Sequence, residues 1–452
     1  MSIRRSLFFL ALASICLIGI GAQSASVTIN FWTAPNQGQF TYWDGIVQEF
    51  NAAKVKVDAK TIVVKVQKMP ETPSSEAGIQ NALATKTAPA LSENINRGFA
   101  ATLAASGRVY DIKDEAFYKA IVASRKMEEI MPGWAIGGKQ YVVPLYANPM
   151  GYHWNVAALK ALGFTDKTPE TVDDLAKLIT AFKEGKDGAM KDLGIEHLFL
   201  RPQLLRPENW WDRWFDFQMQ YEAFTGGKSL VEGDRLLMDP TVTAEVFKLF
   251  GSMGDAIQVE QDETAFERKR VPAVFQVTAP WDIPKYKAAG KVYGMDGDYI
   301  YGPPLVKKAS DVPYTFADAK GIVFYKGGNV TTEQHKAAVA FIAWVFSAER
   351  GAANDLNWLK VTGMLPMRGD LASNPAFSGF IKENPEYSEQ AVWIGHSVPA
   401  MSSDKMVELQ TALGEKGLAP YIDAATKSAS TPDPIPYVNE AIAAMKKAGK
   451  LK

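Results

Sequence analysis

The chain has 452 residues, 47% of them hydrophobic and 22% charged, which is enough apolar material for two or more cored domains and excludes a disordered polypeptide. Lysine and arginine number 49 against 50 acidic residues, so the surface is close to neutral and offers no electrostatic footprint for nucleic acid; no nucleic-acid partner is expected. The single cysteine, Cys16, excludes a disulfide framework and a thiolate metal site.

The first residues read as a secretory signal peptide, residues 1–24. Arg4 and Arg5 precede an apolar run from Leu7 to Ile20, and the small-residue stretch Ala22-Gln23-Ser24 marks the expected cut. The run is shorter than the ~20 residues a spanning helix needs, and no later run is longer, so a soluble, secreted protein is expected, periplasmic or extracellular. Lipid anchoring at Cys16 is less expected, because Ile15 stands where a small residue is wanted.

Val27 to Trp32 reads as a strand, the polar loop Thr33 to Gly38 follows it, and Trp43, Ile46, Val47 and Phe50 have helical spacing. A strand at Ile62–Val66, a helix over Ser75–Thr85, a short strand around Ala90-Leu91 and a helix ending near Gly107 come next. Alternation of this kind implies a mainly parallel sheet flanked by helices, with ligands gathering beyond the carboxyl ends of the strands. Gly133 to Asn155 reads as two strands joined at Gly137-Gly138, and its proline-interrupted part, Pro144 to Pro149, as an interdomain crossing. A second α/β region follows: helices at Val172–Phe182, Glu208–Ala223, Thr241–Phe250 and Ile283–Ala289, and a strand at Ala273–Val277. Gly302-Pro303-Pro304 is another crossing, before a strand at Ile322–Tyr325, a helix at Thr331–Phe346 and a helical remainder.

Chemical motifs are sparse. His153, His197, His335 and His396 have no partners at metal-ligand spacing, and no metal or cofactor is expected. Gly226-Gly-Lys-Ser229 ends like a phosphate loop, but Glu222 stands where the opening glycine belongs, so a helix-terminal turn is the better reading. Aromatics stand out instead. Trp32, Trp154, Trp210, Trp211, Trp281, Trp358 and Trp393 lie in or beside polar loops, and such faces suit a sugar, whose C–H face stacks while its hydroxyls need hydrogen bonds. In the segment Asn209 to Phe217, Trp210, Trp214, Phe217 and Tyr221 form one helical apolar stripe, while Trp211 projects away from it.

The ordered pieces Gln140-Tyr-Val-Val-Pro144, Gly151-Tyr-His-Trp-Asn155, Leu159-Lys-Ala-Leu-Gly-Phe164, Val271 to Trp281, Gly302-Pro-Pro-Leu305 and Thr362-Gly-Met-Leu-Pro-Met-Arg368 resemble the extracellular solute-binding proteins of ABC importers, in the maltose-binding-like family. The resemblance covers nearly the whole mature chain. It implies the two-lobed α/β periplasmic-binding-protein type II fold, with hinge strands between the lobes and the ligand in the cleft. One lobe is expected from residues 25–146 and 294–350, the other from 147–293 and 351–452.

Carried over by position, the resemblance implies ligand contacts from Asn36, Gln37, Glu71, Asn148, Trp210, Trp211, Trp281, Asp318 and Arg368. Family members usually have Pro-Asp-Val where this chain has Pro89-Ala90-Leu91, so Asn94 and Arg97 take that side of the cleft. The implied function is capture of a sugar or oligosaccharide by a monomer that delivers it to ABC permease transmembrane subunits, without catalysis. Alternatives are a binding protein for a polyol or charged solute, a secreted glycan-cleaving enzyme, which needs two carboxylates across one bond, and a sensory receptor.

Overall fold

The computed structural model describes residues 25–70, 74–200, 215–258 and 264–452. Fourteen strands are described in chain order: β1 (Ser26–Thr33), β2 (Lys56–Val57), β3 (Lys60–Lys68), β4 (Leu91–Asn96), β5 (Val143–Pro149), β6 (Gly151–Asn155), β7 (His197–Leu200), β8 (Val231–Glu232), β9 (Arg235–Leu236), β10 (Ile257–Gln258), β11 (Ala273–Thr278), β12 (Tyr299–Gly302), β13 (Thr315–Phe324) and β14 (Ser397–Val398). The first three helices are α1 (Gln37–Ala53), α2 (Ser75–Ala84) and α3 (Arg97–Ala105).

Local chemistry sets the first layer. β1 alternates exposed and buried residues before it runs into the core. The Asn36 side chain accepts from the amides of Gly38 and Gln39 and so opens α1; Tyr42, Trp43, Ile46, Val47 and Phe50 form its buried face, and Lys54 in the left-handed region ends it.

Two sheets result. The first is seven-stranded, ordered β14-β13-β4-β1-β3-β2 with β5 on β13; the second is five-stranded, ordered β10-β7-β11-β6-β12. Their centres are parallel as expected, β1 with β3 and β4, β7 with β10 and β11. Each also has antiparallel strands. β13 re-enters the first sheet from the second lobe and therefore runs against β4 and β5, while β6 runs against β11 and β12.

Among the described residues the chain passes between two hydrophobic cores at three places. Ala147 belongs to the first core and Met150 to the second, so the first crossing lies at the end of β5. At Gly151 a Cβ would lie 2.5 Å from the Tyr301 ring and 2.6 Å from the Gly302 carbonyl, so the close approach of β6 and β12 beside this crossing requires glycine. The second crossing lies at the start of β13, where Phe316 packs in the second core and Ala317 in the first. The third follows β14, since Ile394 packs in the first core and Ala400 in the second.

These crossings move two of the expected lobe boundaries. β12 and Leu305 belong to the second lobe, not the first. Residues beyond 350 do not all go to the second lobe either, because Trp358, Leu365, Phe377 and Tyr387 fill the first core. A buried ion-pair network accompanies this apolar packing. Arg125 and Asp355, 0% and 1% exposed, make a two-pronged pair, and Arg368 adds a contact to Asp355 at 2.8 Å, which ties the segment 351–371 to the first lobe.

Candidate functional site

The carboxyl ends of β1 and β4 lie side by side, and the groups there are mostly held by one another. Glu93 is fully buried; its carboxylate accepts from the Ala34 amide at 2.6 Å and from the Gln39 side chain at 3.0 and 3.2 Å. Burial pushes its pKa up from 4.5 to about 7, against the pull of these hydrogen bonds and of the Lys320 charge. The folded protein thus holds this proton more tightly than the unfolded chain, so stability is full below pH ~4.5 and is lost as the pH rises through about 7. Glu93→Gln should be more stable than the wild type at pH 8 by on the order of 2 kcal/mol, with the gap closing toward pH ~4. Urea melts at the two pH values check this; a gap of equal size at both would show that the proton on Glu93 does not matter.

The hinge strands present a polar face. In an antiparallel pair, opposed residues share a side of the sheet. Asp318 is opposite Asn148, and Lys320 is opposite both Tyr146 and Asn96, so these five residues, with Asn94 two positions along β4, line one face. The Lys320 ammonium is 3.8 Å from the Asp318 carboxylate, which compensates the charge. Tyr146 donates to the Asn94 side chain at 3.3 Å, and Asn94 sits at φ +67, a conformation that a side chain rarely adopts outside a functional or turn position. Asn148 is 0% exposed; its oxygen accepts from the Leu365 amide, but its side-chain nitrogen has no partner among the described residues. An unsatisfied buried donor costs about 1–3 kcal/mol, so an acceptor from outside the described residues, a water or a ligand, would suit this one.

Trp281 stands at the seam of the two lobes. β11 pairs Thr278 with Gly151 beside the first crossing, and the turn Pro280–Asp282 follows, fixed by the Thr278 hydroxyl on Asp282 at 3.0 Å. Trp281 is half-buried against the second core, whereas Ile283, two residues on, packs in the first.

The remaining expected residues fare differently. Asn36 is used as the cap of α1, and exposed Gln37 accepts from Lys68 at 2.7 Å. Arg97 opens α3 and donates twice to the Ala135 carbonyl. The expectation of Arg368 as a ligand contact is corrected: it is 3% exposed and its guanidinium is spent on Asp355, Asp370 and the Ser124 carbonyl. Trp32, Trp154 and Trp358 are likewise core residues, not faces for a ligand, at 8%, 0% and 0% exposure. Glu71, Trp210 and Trp211 lie outside the described residues, as do all the residues from Asn209 to Trp214. The loop Gly226-Gly227 is the turn after the helix Phe215–Thr225, with both glycines at positive φ.

Sequence reasoning missed Gln39, Glu93, Tyr146 and Lys320. The signal for two of them was strand alternation: β4 runs on to Asn96, and β13 begins earlier than expected, at Thr315. Among the described residues no cluster of three or more His, Cys, Asp or Glu could hold a metal ion, and no helix is long and apolar enough to cross a membrane.

A family model for bacterial extracellular solute-binding proteins matches residues 45–389. The chain belongs to this family. Among solved structures, an uncharacterized protein of Listeria monocytogenes is 30% identical to this solute-binding protein over 94% of its chain and 99% of the other, with a TM-score of 0.78. The cyclic α-maltosyl-1,6-maltose binding protein of Arthrobacter globiformis is 15% identical over 94% and 100% of the two chains, TM-score 0.72. The maltotriose binding protein of Thermus thermophilus is 14% identical over 93% and 99%, TM-score 0.62; these last two share the two-lobed fold. No curated protein matches the sequence of this solute-binding protein.

Proposed function

We propose that this solute-binding protein is the capture component of an ABC uptake system, that it takes a sugar or oligosaccharide into the cleft between its lobes, and that it delivers this cargo to membrane permease subunits. The observation that carries the reading is the face of Asn94, Asn96, Tyr146, Asn148, Asp318 and Lys320 on the crossing strands, with the unpartnered donor of buried Asn148 in it. Amides and a charge-compensated pair suit a polyhydroxyl ligand, and half-buried Trp281 offers an apolar surface nearby. Two of the similar folds are named for maltose-type sugars, which agrees.

The mechanism is capture by closure. A ligand that touches both lobes stabilises the closed form by its extra contacts there, and no bond is made or broken. A thermal-shift screen over mono- and oligosaccharides tests the ligand class, since a ligand at 100 times its dissociation constant adds about 2.7 kcal/mol. At least one saccharide should raise the melting temperature; a shift with polyamines or metal ions and with no saccharide would sink the sugar reading. Hydrolysis of the bound saccharide would instead favour a glycan-cleaving enzyme. Small-angle scattering should show a smaller radius of gyration at saturating ligand and unchanged mass, because among the described residues the chain passes between the cores at narrow segments around β5, β13 and β14. No change would argue against hinge closure.

A further inference from the structure

Arg97 carries a charge that no described carboxylate contacts directly, although the field of Glu232 reaches it. Its Nε and Nη2 donate to the Ala135 carbonyl at 3.2 and 2.6 Å, which fixes the guanidinium plane without neutralising it. It is half-buried, and desolvation lowers its pKa from 12.5 only to about 10, so the cation persists at neutral pH. The residue lines a cavity of about 470 Å³ together with Lys228, Ser229, Glu232, Leu237 and Ser402.

The walls of this cavity come from both lobes. α3 packs into the first core through Phe99 and Leu103, while Leu230, Val231 and Met401, which flank the other lining residues, belong to the second. Glu232 is the one acid among the lining residues, and it is already paired with Arg235 at 3.1 Å on an exposed edge. Ser229 donates to the Val231 carbonyl at 2.9 Å, whereas the hydroxyl of buried Ser402 has no hydrogen-bond partner among the described residues. Neither Arg97 nor Lys228 has a carboxylate within 4.0 Å among the described residues. Two cations face the cavity against one acid, Glu232, whose charge also reaches Arg97 without a direct contact, and a partly desolvated guanidinium is stabilised most by an oxyanion that binds it directly.

We propose that this cavity binds an anionic oxygen group, a carboxylate or a phosphate ester, with Arg97 and Lys228 as its counter-ions and Ser402 as a donor, and that the captured saccharide carries that group. The second half of this statement rests on the sugar reading above; the first half does not. Binding would then draw the two lobes together through a charge that each supplies.

Calorimetry on the full mature chain tests it, using uronic acids and sugar phosphates, each beside its neutral parent sugar, and inorganic phosphate alone. Inorganic phosphate should bind weakly and at least one acidic saccharide more tightly than its neutral parent. Lys228→Gln should weaken both anions about ten-fold or more and leave neutral sugars unchanged, and Arg97→Gln should weaken acidic saccharides more than their neutral parents, with the ligand-free melting temperature as the control for folding. Lys228 is exposed, so that variant reports even where Arg97→Gln folds poorly. Absence of anion binding, or equal anion affinity in the variants, overturns the proposal. So does an equal loss for neutral and acidic ligands, which would assign Arg97 to a contact with Glu232 on closure. Binding of inorganic phosphate with no saccharide of either kind keeps the anion site and overturns the sugar reading instead.

Discussion

Replacing Asp355 with alanine should lower folding stability by about 3–5 kcal/mol, the cost of breaking a buried ion pair from one side. Asp355 is 1% exposed and receives the Arg125 fork as well as Arg368. Arg368 keeps Asp370, but Arg125 keeps only the Pro144 carbonyl at 2.7 Å and the face of Phe346 at 4.1 Å, neither of which carries a formal negative charge. The variant therefore leaves a fully buried guanidinium unpaired. Urea or thermal melts measure the loss, and a change below about 1 kcal/mol would mean that water reaches Arg125 freely. The same change should loosen residues 351–371 from the first lobe, which hydrogen exchange along that segment would register as lost protection.

Trp281→Ala should weaken binding of the solute by roughly 1.5–3 kcal/mol, about 10- to 150-fold in affinity, the scale of losing a large apolar face. Its melting temperature should move little, because the ring is only half-buried and the turn that carries it is held by Thr278 and Asp282. Trp154→Ala provides the contrast. That ring is 0% exposed and packs on Phe275 at 4.5 Å, so its removal should cost about 3–5 kcal/mol of stability. Calorimetry of binding and of melting on both variants separates the roles; normal binding by Trp281→Ala together with early melting would make Trp281 a core residue. The same comparison for Trp211→Ala and Trp214→Ala decides between platform and core in the segment 209–217.

Much of the fold was legible residue by residue. The helix α1 and the strands β1, β3 and β11 lie within a few residues of their expected positions, because each combines a strong period with a stop signal: an Asn cap, a left-handed Lys54, a proline turn. β4 and β13 were read too short. Their polar residues, Glu93, Asn94, Asn96, Asp318 and Lys320, look like loop in a one-dimensional reading, yet the sheet gives their backbones partners and the site or each other gives their side chains partners. That is also why Glu93 escaped notice.

By itself the sequence determined the class of the protein, because a leader, a near-neutral surface, alternating strand and helix periods and an ordered set of motifs are all local properties of the chain. Only the tertiary structure decided which arginine is bound up and which is not. Arg97 and Arg368 were equal candidates by position; Arg368 folds back onto Asp355 and Asp370, and Arg97 meets a carbonyl and a cavity. The same holds for the tryptophans and for the lobe boundaries, since burial, charge pairing and core membership depend on contacts between residues hundreds of positions apart, which no spacing along the chain encodes.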